Sequence, residues 1–346
     1  MPDSASPKRI LIVRLSAIGD TIHSLPLAAA LRREYPGCFL GWVTESPSAP
    51  LLADNPLIDW LHVLPKGWLK SPRLILELRN CLLAERFDTA FDIQGLSKSA
   101  IAAKLSGAGI RIGFVRGEGR EIAPLLDNRL VIPAGRHAVE ITLSLLAGLG
   151  VIPPVKPEFV LPPCRPQDAL SIDNTLKDRK YSGGYVLLGP WGSLAAKLWP
   201  LSRFRELARG IAARADLPSL ALGYGEKERQ AVAAAAVQSE GTLALAPEVN
   251  AAGVVELARR ARLFVGCDSF PLHAASATGC PSLGLFGVTD PLRLGPLAAN
   301  SESIFGKLTL PKSTRERRRL GQENMLALDV GKVLERCLYI LARTAR

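Results

Sequence analysis

The sequence has no apolar run approaching the roughly 20 residues that are needed to cross a bilayer. Residues 1–8 also lack the apolar core of a secretory signal peptide, so we expect the chain to remain in the cytoplasm. Aromatic residues make up only 6% of the chain, and no nucleic-acid-binding module is recognisable. Nucleic acid is therefore not expected as a partner.

The six cysteines are scattered and form neither a CxxC pair nor a cluster with histidine. This pattern predicts reduced thiols buried as small apolar side chains, and it favours neither a disulfide framework nor a metal site. The sequence also lacks a Walker A lysine motif, a complete G-x-G-x-x-G fingerprint, a G-x-S-x-G elbow and an HExxH motif. No metal and no other cofactor is predicted.

The chain does have the length and apolar content for two domains with substantial cores: 346 residues, 48% hydrophobic, with a mean hydropathy of +0.16. Its net charge of +11 and isoelectric point near 9.6 favour an anionic partner. A phosphorylated metabolite or an acidic membrane surface would be such an anionic partner. A generally solvated basic surface is the alternative, and charge alone leaves it open.

The stretch from residue 10 to 26 sets the organisation of the first half. Residues 10–13 are uniformly apolar, which predicts a buried strand, and residues 21–35 carry apolar side chains at helical spacing. Between them, residues 16–20 are interpreted as a sharp turn with Asp20 following Gly19. Ligands of open α/β sheets bind at the carboxyl ends of strands, where this turn would lie. Asp20 is therefore either a ligand-side carboxylate or only the N-cap of the helix.

Strand and helix patterns alternate in two runs, separated by a segment with six prolines between residues 151 and 166. Two such runs predict an α/β protein with two Rossmann-like domains, whose parallel sheets face each other across a cleft. The predicted divisions are residues 1–165, residues 166–325 and a final helix over 326–346. The further predicted strands are 39–43, 61–64, 89–93, 110–114, 185–188, 219–222, 263–266 and 282–286.

One predicted helix carries a basic face that has two interpretations. The pattern predicts a helix from about residue 66 to 86, which would display Lys66, Lys70, Arg73 and Arg79 beside Trp68. Such a face is usually solvated, but it also suits the docking of an acidic group. The other predicted helices cover 137–149, 202–214, 227–238, 254–260, 271–278 and 326–344, and Gly150 is predicted to cap the first of these.

Two groups of polar side chains follow predicted strands in the second half. Ser193 and Lys197 lie between a strand and a helix, where a hydroxyl, loop amides and an ammonium suit a phosphate. Glu226 and Glu228 follow the next strand, and their carboxylates suit ribose hydroxyls. Each group is a weak signal alone, but both are predicted at neighbouring strand ends.

A third group is the run Gly266-Cys-Asp-Ser-Phe-Pro-Leu-His273. Asp268 or Ser269 is predicted to cap a helix with Pro271 in its first turn, so several N–H groups would point at one place. This arrangement predicts an anion site, with His273 one turn further along. The structural alternative is an ordinary capped helix with a core histidine.

Seven motifs in order resemble the lipopolysaccharide heptosyltransferases of glycosyltransferase family 9, over nearly the whole chain. They are Ser16-Ala-Ile-Gly-Asp20, Asp92-Ile-Gln-Gly-Leu-Ser-Lys-Ser99, Arg120-Glu121, His137-Ala-Val-Glu140, Lys197-Leu-Trp-Pro200, Asp268-Ser-Phe-Pro-Leu-His273 and Gly287-Val-Thr-Asp-Pro291. The resemblance implies a GT-B enzyme that inverts the anomeric centre without a metal. It also implies an ADP-heptose donor, bound by the C-terminal domain.

The resemblance assigns roles to individual residues. Asp20 matches the catalytic general base, and Lys197 matches the lysine that neutralises the leaving diphosphate. The implied donor-binding residues are Gly192, Ser193, Glu226 or Glu228, Asp268, Ser269, Phe270 and His273. The implied acceptor-binding residues are Ser16, Gly19, Gln94, Lys98 and Arg120.

The implied acceptor is an anionic glycolipid, either Kdo-lipid A or an extended core. The enzyme would then be a monomer that contacts the inner face of the cytoplasmic membrane peripherally. One residue departs from the family pattern, because Phe270 stands where glycine would let a phosphate approach the backbone closely. Two alternatives follow: a non-catalytic or altered-donor relative of the same fold, and an epimerase acting on another nucleotide sugar.

Overall fold

The computed structural model describes residues 7–306, 310, 316 and 319–344. The chain divides into two compact units, Met1–Pro163 and Cys164–Arg346. Each unit is built around its own parallel sheet, with helices connecting successive strands.

The sheet of the first unit has six parallel strands in the order β3-β2-β1-β4-β5-β6. β1 lies inside this sheet, and Ile10, Leu11, Ile12 and Val13 are fully buried, as expected of a strand covered on both faces. The strands are β1 (Arg9–Val13), β2 (Phe39–Glu45), β3 (Trp60–Leu64), β4 (Thr89–Asp92), β5 (Ile110–Phe114) and β6 (Arg129–Val131).

Two helices of the first unit begin elsewhere than the sequence pattern predicts. α1 begins at Ile18 rather than residue 21, so Gly19 and Asp20 lie in its first turn and not in a sharp turn before it. α2 begins at Pro72, and the buried Trp68 belongs to a separate 3-10 turn. The helices are α1 (Ile18–Glu34), α2 (Pro72–Ala84), α3 (Ser97–Leu105), α4 (Ala123–Leu126) and α5 (Ala138–Leu143).

The second sheet has six parallel strands in the order β12-β11-β10-β7-β8-β9. Its strands are β7 (Val186–Gly189), β8 (Ser219–Ala221), β9 (Leu243–Leu245), β10 (Leu263–Cys267), β11 (Ser282–Phe286) and β12 (Glu302–Phe305). Its helices are α6 (Pro166–Leu176), α7 (Leu201–Ala215), α8 (Gly225–Val237), α9 (Ala251–Arg260), α10 (Phe270–Ala277), α11 (Pro291–Leu294), α12 (Glu323–Leu326) and α13 (Val330–Thr344).

The predicted α/β class with two parallel sheets is confirmed. The sequence prediction missed β6, β9 and β12, which all lie at sheet edges. Edge strands are only half covered, so their side chains need not be uniformly apolar. β12, for example, reads Glu-Ser-Ile-Phe and contains no fully buried residue.

The proline-rich segment has no regular structure between residues 151 and 165. It is nevertheless tied to the first unit, because the Asn55 side-chain amide donates to the Val160 carbonyl at 2.9 Å. Phe159 and Leu161 also pack against the apolar core of that unit. The short 3-10 helix Ser144–Leu149 precedes the segment and ends at Gly150 in the left-handed region, as predicted for a C-cap.

The last helix belongs to the core of the second unit. α13 buries Val333, Cys337 and Ile340 against that core, and it crosses α7 closely at Gly210. A Cβ at Gly210 would lie 2.6 Å from a Leu334 methyl carbon, so a larger residue there would force the Leu334 side chain or the helices to shift. The predicted start of this helix at residue 326 is wrong, because Leu326 ends the separate helix α12.

All six cysteines are free thiols, as predicted. Cys38, Cys267, Cys280 and Cys337 are buried, whereas Cys164 is partly exposed. Cys81 is exposed, which contradicts the prediction of burial, because it lies on α2 away from the buried Leu78 and Leu82.

Candidate active site

Asp20 lies in the first turn of α1, just after the carboxyl end of β1. Its Oδ2 accepts the backbone N–H of Ala17 at 3.2 Å and pairs with Nη2 of Arg14 at 2.8 Å. Ala17 is the N-cap, so the interpretation of Asp20 as the N-cap is wrong, although its carboxylate still satisfies an amide at the helix start. The side chain is 41% exposed and therefore open to a ligand.

Arg14 is a candidate site residue that the sequence analysis missed. Its Nη1 donates to the Ile93 carbonyl at 2.9 Å, so the guanidinium connects the ends of β1 and β4 while it holds Asp20. The side chain is mostly buried, which fixes the position of the Asp20 carboxylate. The signal was present in the sequence, because a charged residue directly follows the apolar run 10–13.

Three predicted acceptor-side residues meet beside this pair. Lys98 Nζ lies 3.0 Å from Ser16 Oγ and 3.0 Å from Glu45 Oε1. Gln94 donates to Ser16 Oγ at 3.3 Å and accepts the Leu15 N–H at 2.9 Å. The structure therefore gathers Ser16, Gln94 and Lys98 at the carboxyl edge of the sheet, together with Glu45, which the sequence analysis did not identify.

Asp92 holds the loop that carries Gln94 in place through hydrogen bonds to its backbone. The Oδ1 atom of this buried carboxyl accepts the N–H groups of Gln94 and Gly95 at 3.1 and 3.0 Å. Gly95 adopts a φ of +65°, and its Cβ would lie 2.7 Å from the Glu118 carbonyl, so glycine is required there.

Arg120 and Gly19 lie outside this hydrogen-bonded group of side chains. The backbone N–H of Arg120 donates to the Gly95 carbonyl at 2.8 Å, which places Arg120 beside the loop with its side chain exposed. Gly19 is buried within the first turn of α1. Its backbone is helical, so the prediction that it bends the chain sharply is wrong.

Asp92 and Asp127 form a buried acidic pair beneath this edge. Burial raises the pKa of Asp92 to about 6, although hydrogen bonds from Ser99 and the loop amides oppose the shift. Burial, reinforced by the charge of Asp92, raises the pKa of Asp127 to about 8. In the part of the chain that the structure describes, neither Asp127 oxygen has a hydrogen-bond partner. Asp127 is therefore protonated at neutral pH.

Folding stability should fall as the pH rises from about 4 to 8, because Asp127 ionises in the unfolded chain but stays protonated in the folded one. One such group contributes a slope of about 1.4 kcal/mol per pH unit within that window. Asp127→Asn should flatten the slope, since an amide does not titrate. Urea unfolding of both proteins at pH 5, 6.5 and 8 measures this, and equal slopes would contradict the assignment.

In the second unit, Lys197 and Asp268 meet where β7 and β10 end. Lys197 closes a 3-10 turn, Ala195–Lys197, and its Nζ lies 2.6 Å from Asp268 Oδ2. Asp268 is 2% exposed, so this ion pair is shielded from water on the carboxylate side. The ammonium, more exposed than the carboxylate, is thereby held at the carboxyl edge of the sheet.

Asp268 also connects two other elements. Its Oδ2 accepts the Thr289 hydroxyl at 2.6 Å, and its Oδ1 lies 3.5 Å from His273 Nε2. Burial alone would raise the pKa of Asp268, but the hydrogen bond with His273 and the charge of Lys197 outweigh it and lower that pKa well below its usual range. Thr289 belongs to a motif that the sequence analysis quoted without assigning it a role.

The start of α10 is formed by Ser269, which is the N-cap in extended conformation. Asp268 is therefore not the cap, and the Ser269 hydroxyl makes no capping hydrogen bond, lying instead 3.4 Å from the Cys267 carbonyl. Phe270 is half-buried and packs against an apolar cluster of the second unit that includes Leu222 and Leu272. The ring that motivated the altered-donor alternative is thus packed in part against this cluster.

The remaining predicted donor residues differ in how far their polar groups are already used in contacts within the protein. Gly192 adjoins the ion pair, since its Cβ would lie 3.6 Å from Lys197 Cβ, and Ser193 next to it is exposed. Glu228 accepts the Tyr224 N–H at 2.9 Å at the start of α8, whereas Glu226 is exposed and accepts a hydrogen bond from Gln230 on its own helix. Of these two glutamates, Glu226 is the more open to a ligand.

The family model described as Glycosyltransferase family 9 (heptosyltransferase) matches residues 75–322. The chain belongs to this family. Lipopolysaccharide heptosyltransferase 1 of Pseudomonas aeruginosa is 30% identical over 297 residues, which cover 82% of this chain and 79% of that protein. The protein of the same name from Escherichia coli K12 is 26% identical over 349 residues, covering 95% of this chain and 98% of that one.

A solved structure, E. coli heptosyltransferase WaaC with ADP, matches this glycosyltransferase with a TM-score of 0.75 at 23% identity. It covers 97% of this chain and 99% of the WaaC chain. The WaaC structure with ADP-2-deoxy-2-fluoro heptose gives the same TM-score. The GT-B architecture implied by the sequence resemblance is confirmed.

Each unit of this glycosyltransferase thus presents a charged side chain that is held by a less exposed partner of opposite charge. The Asp20 carboxylate is suited to accept a proton, and the Lys197 ammonium is suited to bind an anion. Within the described residues, no group of three or more His, Cys, Asp and Glu side chains is placed to hold a metal ion. None of the described helices combines the length and the apolar character needed to cross a membrane.

Proposed function

We propose that this enzyme transfers a heptose from ADP-heptose to an anionic acceptor of the lipopolysaccharide inner core, either Kdo-lipid A or an extended core, with inversion at the anomeric carbon. The observation that carries the proposal is the Lys197–Asp268 pair, which presents an ammonium at the carboxyl edge of the second sheet. The curated relatives are named lipopolysaccharide heptosyltransferases, and WaaC was solved with ADP and with an ADP-heptose analogue.

On the donor side, the diphosphate gains negative charge as the bond from the anomeric carbon to its oxygen breaks. Lys197 stabilises that charge, and Asp268 keeps the ammonium in place before the reaction begins. The N-terminus of α10, which begins beside Asp268, adds a positive helix end directed at the same anion. Glu226 receives the ribose hydroxyls.

On the acceptor side, Asp20 removes the proton of the attacking hydroxyl while the acceptor oxygen bonds to the anomeric carbon. ADP leaves from the opposite face, so a single displacement inverts the configuration. Arg14 orients Asp20, and Ser16, Gln94, Lys98 and Arg120 bind the anionic acceptor. The enzyme acts as a monomer and contacts the cytoplasmic face of the membrane peripherally, without a metal or other cofactor.

Purified enzyme incubated with ADP-heptose and Kdo-lipid A should release ADP and add one heptose to the acceptor, in the presence of EDTA as in its absence. NMR of the product should show an anomeric configuration opposite to that of the donor. UDP- and GDP-sugars serve as donor controls. Transfer only from another nucleotide sugar would contradict the ADP-heptose assignment, and conversion of a nucleotide sugar without any acceptor would favour the epimerase alternative.

A further inference from the structure

The surface between residues 122 and 132 exposes an unusual number of large apolar side chains. Leu125 is 74% exposed and Ile132 is 77% exposed, and Ile122 and Leu130 are exposed as well. Exposed apolar residues that stand singly are ordinary, but a concentration of them marks a binding surface. Leu130 lies on β6, which is the edge strand of the sheet. Within the described chain, no further strand pairs with the outer side of β6.

The same surface is basic. Four exposed arginines lie in the same stretch, Arg116, Arg120, Arg129 and Arg136, although Nη1 of Arg129 also donates to the Gly148 carbonyl at 2.8 Å. The nearby acids offset this charge only in part, because Asp127 is buried with a raised pKa, which leaves Glu118 and Glu121 against four arginines. We call residues 116–136 the apolar-basic segment.

The apolar-basic segment is fastened to the loop that carries Gln94 and Gly95, which we call the acceptor loop. The Arg120 N–H donates to the Gly95 carbonyl at 2.8 Å, and the Ser97 N–H donates to Glu121 Oε2 at 3.1 Å. Ala123 is fully buried where α4 packs on α3. The exposed side chains are therefore presented from a fixed position next to Gln94 and Lys98.

We propose that the apolar-basic segment seats the enzyme on an anionic lipid bilayer, with Ile122 and Leu125 entering the head-group layer and the arginines contacting lipid phosphates. Apolar burial and attraction to anionic lipids reinforce each other in peripheral binding. This surface would present a lipid-linked head group directly to the acceptor loop. The inference rests on the proposed function only in that the acceptor is a membrane lipid.

Charge complementarity selects the bilayer over a second copy of the chain. A two-fold contact through this segment would bring together two surfaces of the same positive sign, and like charges across an interface are unfavourable. Anionic lipid phosphates instead pair with guanidinium groups, and the acyl region accepts the apolar side chains.

Co-sedimentation of the full-length enzyme with vesicles tests the surface. Wild type should bind vesicles of phosphatidylcholine with phosphatidylglycerol, and it should bind much less to phosphatidylcholine alone. Ile122→Ser with Leu125→Ser should lower partitioning about ten-fold or more. Arg116→Ala should weaken binding mainly at 0.1 M salt, because the Debye length of about 10 Å there shrinks to about 3 Å at 1 M.

The matched control is Leu170→Ser with Val237→Ser, two similarly exposed apolar residues of the second unit. Circular dichroism and melting check that every variant folds. Wild-type partitioning of the Ile122/Leu125 variant, or an equal loss in the control, would overturn the proposal. So would a wild-type dimer in sedimentation velocity that the Ile122/Leu125 variant abolishes.

Transfer assays separate this inference from the proposed function. With an acyl-free, water-soluble acceptor, the Ile122/Leu125 variant should keep wild-type activity, whereas with vesicle-embedded acceptor it should lose most of it. The wild type could bind vesicles through this segment and yet transfer heptose to neither acceptor. That result would support the proposed membrane surface and overturn the proposed function. If the variant and the wild type are equally active on vesicle-embedded acceptor, the proposed membrane surface is wrong and the proposed function is unaffected.

Discussion

Replacing Asp20 with asparagine should reduce heptose transfer roughly 10²–10⁴-fold and leave donor affinity near wild type. Asparagine keeps the shape of the side chain, and its carbonyl oxygen can still accept the Ala17 N–H. It can neither take a proton from the acceptor hydroxyl nor form an ion pair with Arg14. Single-turnover transfer measured beside calorimetric ADP binding tests both parts of this expectation.

Arg14→Met supplies the control, since it removes the ion pair but retains the Asp20 carboxylate. If Asp20 is the general base, this variant should lose less activity than Asp20→Asn, and Arg14→Lys should recover part of the loss. Equal losses in the Asp20→Asn and Arg14→Met enzymes would mean that the ion pair, and not proton removal, accounts for the effect. Near wild-type turnover of Asp20→Asn would leave Asp20 with only its contact at the start of α1.

Lys197→Ala should weaken ADP binding at least ten-fold. A charge-assisted hydrogen bond contributes about 1.5–3 kcal/mol, which corresponds to roughly 10- to 150-fold in affinity. The same change leaves the buried Asp268 carboxylate without its closest cation, so unfolding should become easier by about 3–5 kcal/mol. Isothermal titration with ADP, at a temperature where the variant stays folded, separates the loss of affinity from the loss of stability.

Two further variants distinguish direct from indirect roles at this pair. Asp268→Asn keeps Lys197 but weakens its anchoring, so ADP binding should fall less than in Lys197→Ala. Lys332→Ala removes an exposed lysine on α13 and serves as the surface control, which should bind ADP as wild type does. If Lys197→Ala binds ADP as tightly as the unmodified enzyme, the donor assignment is contradicted. It is also contradicted if the unmodified enzyme binds a different nucleotide sugar and does not bind ADP.

The amino-acid sequence by itself determined the class of fold and the edge of each sheet where the candidate site residues lie. Runs such as residues 10–13 and 263–266 are apolar enough to be strands only if both faces are buried, and that requires helices on both sides of a parallel sheet. Polar residues in the turn or first helical turn after such strands, including Ser16, Asp20, Lys98 and Asp268, are then placed near carboxyl ends by the connectivity alone. Local pattern is sufficient for these features because they depend on neighbours in the chain.

Only the tertiary structure decided which charges meet. Arg14 holds Asp20, Glu45 holds Lys98, and Asp268 gathers Lys197, Thr289 and His273. The contacts of Glu45 with Lys98 and of Asp268 with Lys197 and Thr289 join residues more than 20 positions apart. The strand order that brings them together does not follow the order of the chain. The edge strands β6, β9 and β12 were missed for a related reason, since a half-covered strand is specified by its pairing partner more than by its own composition.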